Sequence, residues 1–449
     1  MDLRDKEVIV IGAGISGLAA CRFLLSRGAI VTLADNKKRQ ELPKEAQTLF
    51  LRGVKFIAQR YVPCTLPWHL CIKSPGVSPD IMLIQILRLA GIPIWGELEL
   101  AYLYTKAPFI AITGTNGKTT TTALLGYILQ HAGLKVLIAG NIGDPLIAHT
   151  EEDYDYIVAE ISSFQLEDTE CFHALGALFL NLSPDHLDRH GNMDNYRTVK
   201  ARIFRNQQEN DFAVLNYDDA SVASFAKDTV AYKLYFSLEQ KVAPGVYMHE
   251  GQIYICDNKQ PIPVISQDHI CIKGRHNWQN AMAALAAAWA LGIDSTLAAQ
   301  ALSTFPGVEH RLEFVCEKDG VTYINDSKAT NPDSTEKALL AYEQPLVLIA
   351  GGYDKKADFL SLMKLIKEHV RHLVVLGQTA PALLSAAQIV GYTCISYAES
   401  FEKAVLLANK HACCGDIILL SPACASWDMF ENFEARGRRF KELVKGNTL

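Results

Sequence analysis

The 449-residue sequence predicts an α/β protein of three domains with largely parallel sheets. Short apolar runs alternate with helix-length segments along nearly the whole chain, the pattern of strands buried on both faces. Two strand-to-helix crossings are glycine-rich, at Gly12-Ala-Gly-Ile-Ser-Gly17 and Gly114-Thr-Asn-Gly-Lys-Thr119. Pro306-Gly307 then breaks a helix ending near Phe305, and a further α/β rhythm follows it. The domain limits read from this pattern are 1–97, 98–305 and 306–449.

In the first domain, Val8-Ile-Val-Ile11 reads as a buried parallel strand, and Gly12 to Gly17 opens a helix running through Leu25. Ile30 to Asp35 is the next strand, which puts Asp35 where a Rossmann-like fold holds its ribose acid. Strands at Val54 to Ala58, Leu70 to Lys73 and Ile92 to Trp95, with a helix after Pro79, complete a Rossmann-like unit. Read alone, the GxGxxG turn suits a nicotinamide or flavin dinucleotide, a nucleotide sugar, or a tight crossover with no ligand.

The second domain starts with strand Phe109 to Thr113 and continues through strands Lys135 to Ala139, Asp155 to Ile161, Ala177 to Asn181 and Phe212 to Asn216. Helices between them imply a P-loop-type, largely parallel sheet with the glycine turn at its C-terminal edge. Between Val230 and Asp268 the pattern shifts to short β segments, with a hairpin turn at His249-Glu-Gly-Gln252, before a helix Asn277 to Leu291. The third domain is Rossmann-like again: strands at Val321 to Asn325, Leu346 to Ala350, Leu373 to Leu376, Cys394 to Tyr397 and Asp416 to Leu420 alternate with helices, the last starting at Met429.

Composition narrows the function classes. A net charge of −6 argues against a broad nucleic-acid surface, so any anion site must be local. The N-terminus lacks the basic start and cleavage site of a signal peptide. The longest uncharged apolar helix candidate, Asn277 to Ile293, falls short of a membrane span. The expectation is a soluble, cytoplasmic monomer with neither nucleic-acid nor membrane partners. Eleven cysteines without a CxxC pair read mostly as buried small hydrophobes, suggesting neither zinc nor disulfides.

The second glycine turn has the layout of a nucleotide phosphate site. Backbone N–H groups of Gly114, Asn116 and Gly117 can converge on an anion at a helix mouth, Lys118 supplies charge, and Thr119 offers a hydroxyl to Mg²⁺. Glu160 ends an apolar strand on the same sheet edge, where a hard dication finds an oxygen donor. The next strand end delivers His186, a second metal position beside the first. By local pattern alone, Lys200 in Tyr196-Arg-Thr-Val-Lys200 is an exposed helical lysine.

These motifs occur with Ser162-Ser-Phe-Gln165, Asp185-His186, Gly274-Arg-His-Asn277, His310-Arg311 and Asn325-Asp-Ser-Lys-Ala-Thr-Asn331 in the order seen in the Mur ligases. The whole chain resembles that family of ATP-dependent amide-forming enzymes. The run Ser421 to Phe433, the GxGxxG turn and Ser74-Pro-Gly76 are similar to the branch that adds D-glutamate to UDP-N-acetylmuramoyl-L-alanine in peptidoglycan precursor synthesis.

The resemblance implies roles for individual residues. Gly114, Thr115, Asn116, Gly117, Lys118, Thr119 and Thr120 would cradle the ATP phosphates, with Lys328 reaching them from the third domain. Thr119 and Glu160 would share one Mg²⁺. Glu160, His186 and a carbamylated Lys200 would hold a second. Asn277, Asn280, Arg311 and Asp326 would hold adenine and ribose. Uridine diphosphate would lie on Gly14, Ile15, Ser16 and Gly17, with Asp35, Asn36, Lys37, Ser74 and Gly76 around it, and Asn141, Ser162 and His186 near the sugar-peptide end. D-Glutamate would meet Thr330, Lys355, Ser426, Trp427 and Phe433, although Trp427 and Tyr353 are bulkier than in some relatives. Catalysis would rest on Lys118, Glu160, His186, Lys200 and Lys328. A dehydrogenase would leave the second and third motif sets idle, and a binding protein would need no metal pair.

Overall fold

The computed structural model describes residues 2–61, 65–141, 144–257, 260–354 and 357–446. The chain forms two compact units, Met1–Ile270 with Gln279–Thr304, and Cys271–Trp278 with Phe305–Leu449.

The first unit contains two sheets. Strands β1 (Glu7–Ile11), β2 (Ile30–Asp35), β3 (Lys55–Ala58), β4 (Leu70–Lys73) and β5 (Ile94–Gly96) pair in the order 3-2-1-4-5, all parallel. Val8 to Ile11 are fully buried, as a strand covered on both faces requires. Strand order reverses between β1 and β4, which opens a crevice at their C-terminal ends.

The second sheet joins β6 (Phe109–Thr113), β7 (Val136–Gly140), β8 (Tyr156–Glu160), β9 (Gly176–Phe179), β10 (Phe212–Asn216), β11 (Tyr232–Ser237), β12 (Gly245–His249), β13 (Gln252–Cys256) and β14 (Ile262–Ser266) in the order 14-13-12-11-10-9-6-8-7. Only the β12–β13 and β13–β14 pairs are antiparallel, and the turn between β12 and β13 is the hairpin expected at His249 to Gln252. Because β6 lies between β8 and β9, its C-terminal turn emerges beside Glu160 and Asn181. Ile112 pairs with Glu160 and Thr113 with Phe179.

A helix not evident from the sequence, Glu97–Tyr104, follows β5. Two of its acids are buried: Glu97 accepts the Ile147 N–H at 2.7 Å, and Glu99 accepts those of Glu170, Cys171 and Phe172.

In the second unit, β15 (Glu313–Lys318), β16 (Val321–Asn325), β17 (Leu346–Gly351), β18 (Val370–Leu376), β19 (Ile395–Tyr397) and β20 (Ile417–Leu420) form a sheet in the order 15-16-20-17-18-19. Strand β15, antiparallel to β16, is an addition to the expected set. Its outward Phe314 is exposed, which blurs the alternation that marks an edge strand. The final helix is Phe433–Lys445, not a helix from Met429, because Asn432 caps it by accepting the Ala435 N–H at 2.7 Å.

The expectation for the cysteines needs correction. Among the described residues, Cys21, Cys71, Cys256 and Cys424 are buried, while Cys171, Cys271, Cys394, Cys413 and Cys414 are exposed. Cys64 lies outside the described residues. No helix among the described residues is long and apolar enough to cross a membrane.

Candidate active site

The turn after β6 is built by glycines where a side chain cannot fit. Gly117 has φ +84°, and a Cβ there would stand 2.3 Å from the Asn280 side-chain oxygen. The helix Lys118–His131 starts directly after it. Asn181 fixes the turn: its side-chain oxygen accepts the Asn116 N–H at 2.8 Å and its amide donates back to the Asn116 carbonyl at 3.0 Å. This corrects one expectation, since the Asn116 N–H assigned to an anion is engaged by Asn181. The Thr115 side chain is likewise committed, to the backbone of Ser183. Thr120 is buried, and the hydroxyl of Thr121 donates to Asn280 at 3.3 Å. Thr119, partly exposed at the helix start, follows Lys118.

Lys118 folds over its own turn, donating to the carbonyls of Gly114 at 3.0 Å and Thr115 at 2.9 Å. Lys200 reaches the same turn from the helix Met193–Ala201. It is 1% exposed, which corrects the local reading of a surface lysine. Its amine donates to Thr113 Oγ1 at 3.1 Å and to the Gly114 carbonyl at 2.8 Å. Burial, reinforced by the neighbouring Lys118 charge, holds it well below the usual lysine range. Tyr196, four residues earlier on the same helix, is buried with it.

Glu160, 2% exposed, ends β8. One carboxylate oxygen accepts the Asn141 side-chain amide at 2.9 Å, and the other, Oε2, is buried without a hydrogen-bonding partner among the described residues. An orphaned buried carboxylate oxygen is the donor a hard cation satisfies, so Glu160 fits Mg²⁺ chemistry. His186 has a left-handed backbone, φ +52°, before the short helix Leu187–His190. Its ring lies 4.9 Å from that of Phe164, and Asp185 Oδ2 is 3.6 Å from Nε2. Ser162 has a local task. Its hydroxyl accepts the Gln165 N–H, and the Gln165 side chain reaches back, closing a capping box.

At the first sheet a cavity of about 440 Å³ gathers Gly14, Ile15, Ser16, Asp35, Ser74 and Gly76 with Asn141. Gly17 packs below it, where a Cβ would lie 1.9 Å from the Gly12 carbonyl oxygen. Asp35 accepts the Ala13 N–H at 2.7 Å and the Lys37 N–H at 2.9 Å, tying the glycine turn to the end of β2. Asn36 and Lys37 line a different cavity of about 730 Å³ with Lys38, Arg39 and Arg60, so the structure does not gather them with Gly14 to Ser16.

In the second unit Asp326 is fully buried, 3.6 Å from Arg311 and accepting the Ser421 hydroxyl at 2.8 Å. Burial pushes its carboxyl up to about 6 against the pull of Arg311. Asn277, buried in this unit, donates to the Lys273 carbonyl at 2.8 Å. Asn280 instead belongs to the first unit, against Gly117. The Lys328 ammonium sits 5.2 Å over the Phe433 ring. Ser426 is buried and Thr330 half-buried, while exposed Trp427 lies 5.5 Å from the Tyr353 ring. Lys355 lies outside the described residues.

Three α/β sheets, with a glycine-lined crevice on the first and a second glycine turn beside the buried Glu160 on the second, make the fold of the Mur ligases. The chain belongs to that family. It matches the Mur ligase MurD-like N-terminal domain over residues 6–96, the Mur ligase middle domain over 112–288 and the Mur ligase glutamate ligase domain over 310–424. It is 49% identical over 446 residues to the UDP-N-acetylmuramoylalanine--D-glutamate ligase of Pelotomaculum thermopropionicum, covering 99% of this chain and 98% of that one. With the ligase of the same name from Thermoanaerobacter pseudethanolicus, identity is 44% over 449 residues, covering 99% of each. The fold is shared with UDP-N-acetylmuramate-alanine ligase MurC from Thermotoga maritima, with a TM-score of 0.61, 21% identity and coverage of 98% and 99%. It is also shared with MurF ligase from Thermotoga maritima in complex with ADP, with a TM-score of 0.61, 16% identity and coverage of 92% and 93%.

Proposed function

We propose that the chain is an ATP-dependent amide ligase joining D-glutamate to UDP-N-acetylmuramoyl-L-alanine in bacterial peptidoglycan precursor synthesis. The observation that carries this reading is the 49% identity, along essentially the full length, to a ligase of that name.

A carboxylate is a poor acyl donor, so the L-alanine carboxylate attacks the γ-phosphorus of ATP, giving an acyl phosphate and ADP. The D-glutamate amine attacks that carbonyl, phosphate leaves, and the amine loses a proton. No protein nucleophile is required. The chain's contribution is to position the reactants and balance their charge. The glycine turn and Lys118 hold the triphosphate at a helix N-terminus, and Lys328 is the further cation that the family resemblance assigns to the phosphates. The crevice around Gly14, Ser16 and Ser74 holds the uridine diphosphate. The family resemblance assigns D-glutamate to Thr330, Lys355, Ser426, Trp427 and Phe433, and adenosine to Asn277, Asn280, Arg311 and Asp326.

Thr119, Glu160, His186 and Lys200 would hold two Mg²⁺ ions, which would supply charge neutralisation on the phosphoryl oxygens. Lys200 would join this set as a carbamate: its neutral amine would add to CO₂ and release a proton, turning a repelling cation into an anionic oxygen ligand. This reading makes 1–97 the UDP-sugar domain, 98–305 the ATP domain and 306–449 the amino-acid domain, in a cytoplasmic monomer acting on charged nucleotides. Mass spectrometry tests the reaction. Incubation with ATP, Mg²⁺ and UDP-N-acetylmuramoyl-L-alanine should yield the glutamyl product from D-glutamate and not from L-glutamate. Absence of product with every component present contradicts it.

A further inference from the structure

The nucleotide crevice and the His186 turn are joined by a buried ionic cluster that the reaction chemistry does not use. Lys73, the last residue of β4, is fully buried, with its ammonium 2.7 Å from Asp168 Oδ2 and 3.7 Å from Glu167 Oε2. It also donates to the Val77 carbonyl at 3.2 Å. Val77 ends the segment Ser74–Val77 that lines the crevice opposite the glycine turn. The same carbonyl accepts a second cation: Arg189 Nη2 donates to it at 3.0 Å, while Arg189 Nε donates to Glu167 Oε1 at 3.0 Å.

Arg189 lies on the short helix that begins immediately after His186. Its guanidinium covers the Phe164 ring at 4.3 Å, and that ring lies against His186. Asp168 is anchored in turn, because the Gly96 N–H donates to its carbonyl at 3.0 Å. A continuous set of contacts therefore runs from the crevice loop through Lys73, Asp168, Glu167 and Arg189 to His186, all inside the first compact unit.

Packing alone does not call for a lysine at this place. An apolar side chain of similar length would fill the space without the cost of burying two charges. What Lys73 adds is a donor aimed at Val77. We propose that Lys73 and Arg189 are positioning residues that fix the Ser74–Val77 loop relative to the His186 turn. They thereby set where the peptide carboxylate of the bound uridine nucleotide meets the phosphate turn. This inference rests on the ligase reading above for the identity of that substrate.

The test compares wild type, Lys73→Met, Lys73→Met combined with Asp168→Asn, and Arg189→Met, using initial rates and calorimetric titration with UDP. Lys73→Met should raise KM for UDP-N-acetylmuramoyl-L-alanine at least tenfold and lower kcat, with KM for ATP and D-glutamate within twofold of wild type. Combining it with Asp168→Asn removes the stranded acid, so the thermal midpoint should recover while KM stays raised, because Val77 still lacks the Lys73 donor. A purely structural role would restore both together, and that result overturns the proposal. If Lys73→Met does not fold, the double variant decides. Arg189→Met must raise the same KM independently, and an unchanged value there also overturns it. Failure of the wild type to make product would sink the ligase reading. UDP affinity, measured without turnover, then decides this inference: at least fivefold weaker binding in the variants supports it, and unchanged binding overturns it.

Discussion

Lys118 and Lys200 both donate to the carbonyl oxygen of Gly114, at 3.0 and 2.8 Å. Two ammonium groups sharing one acceptor repel each other, and the one that is buried is the cheaper to neutralise. That one is Lys200, held well below the usual lysine range by burial and by Lys118. The arrangement thus sets two lysines on one glycine turn and makes the buried one, Lys200, the easier of the two to neutralise.

Lys200→Ala should lower kcat more than a hundredfold, and acetate or formate should restore at least tenfold by filling the vacated space with carboxylate oxygens. Lys118→Ala should lose activity to a similar degree without rescue. The proposed carbamate needs the neutral amine, so wild-type activity should fall on CO₂ depletion at mildly acidic pH and return with bicarbonate. Full activity of Lys200→Ala in carboxylate-free buffer contradicts the carbamate role.

Asn181 holds the phosphate turn through both atoms of its amide. Asn181→Ala removes both hydrogen bonds that hold Asn116, each worth about 0.5–1.5 kcal/mol net. KM for ATP should rise roughly tenfold, a shift of about 1.4 kcal/mol. UDP affinity should stay within twofold. Equal losses at both nucleotides would show that Asn181 supports the unit as a whole instead of the turn.

Gly117→Ala meets two obstacles at once: φ +84°, and an Asn280 side-chain oxygen 2.3 Å from the new Cβ. The strained backbone alone costs about 1–3 kcal/mol. ATP turnover should fall at least a hundredfold while UDP binding persists, as read by calorimetry. Retained turnover would place the triphosphate elsewhere.

Burial raises the Glu97 carboxyl from 4.5 to about 7. Between those values the folded state holds a proton that the unfolded chain has released, so stability from this group falls as pH rises from 4.5 to 7. It is constant below and above that window. Glu97→Gln keeps an acceptor for the Ile147 N–H and removes the charge. Relative to wild type, the variant should gain stability at pH 8 over pH 5, up to roughly 3 kcal/mol. Urea unfolding at the two pH values checks this, and an equal difference at both contradicts the burial argument.

The parts legible in the sequence were those written locally. The glycine turns, the apolar strands and the acid ending β8 are each fixed by a few neighbouring residues, and the hairpin at His249 needs only its own turn. The parts that were not legible depend on distant partners. Lys200 looks like a surface lysine until the β6 turn is brought against it from 86 residues away, and Asn181 gains its role only from Asn116, 65 residues earlier. Lys73 reads only as the residue that ends a strand, and Glu99 carries no local signal. Their burial follows from how the first sheet meets the segment Glu167–Phe172, which no local pattern records. Strand β15 failed for a different reason, since its exposed Phe314 conceals the alternation of an edge strand.

The central claim is that one chain couples ATP cleavage to amide formation between a uridine nucleotide and D-glutamate. Phosphate release from ATP, followed continuously with Mg²⁺ present, tests it most directly. Release should require UDP-N-acetylmuramoyl-L-alanine and D-glutamate together, stay near background when either is omitted, and match the glutamyl product mole for mole. Phosphate release independent of both acceptors, or none with both present, would contradict the claim.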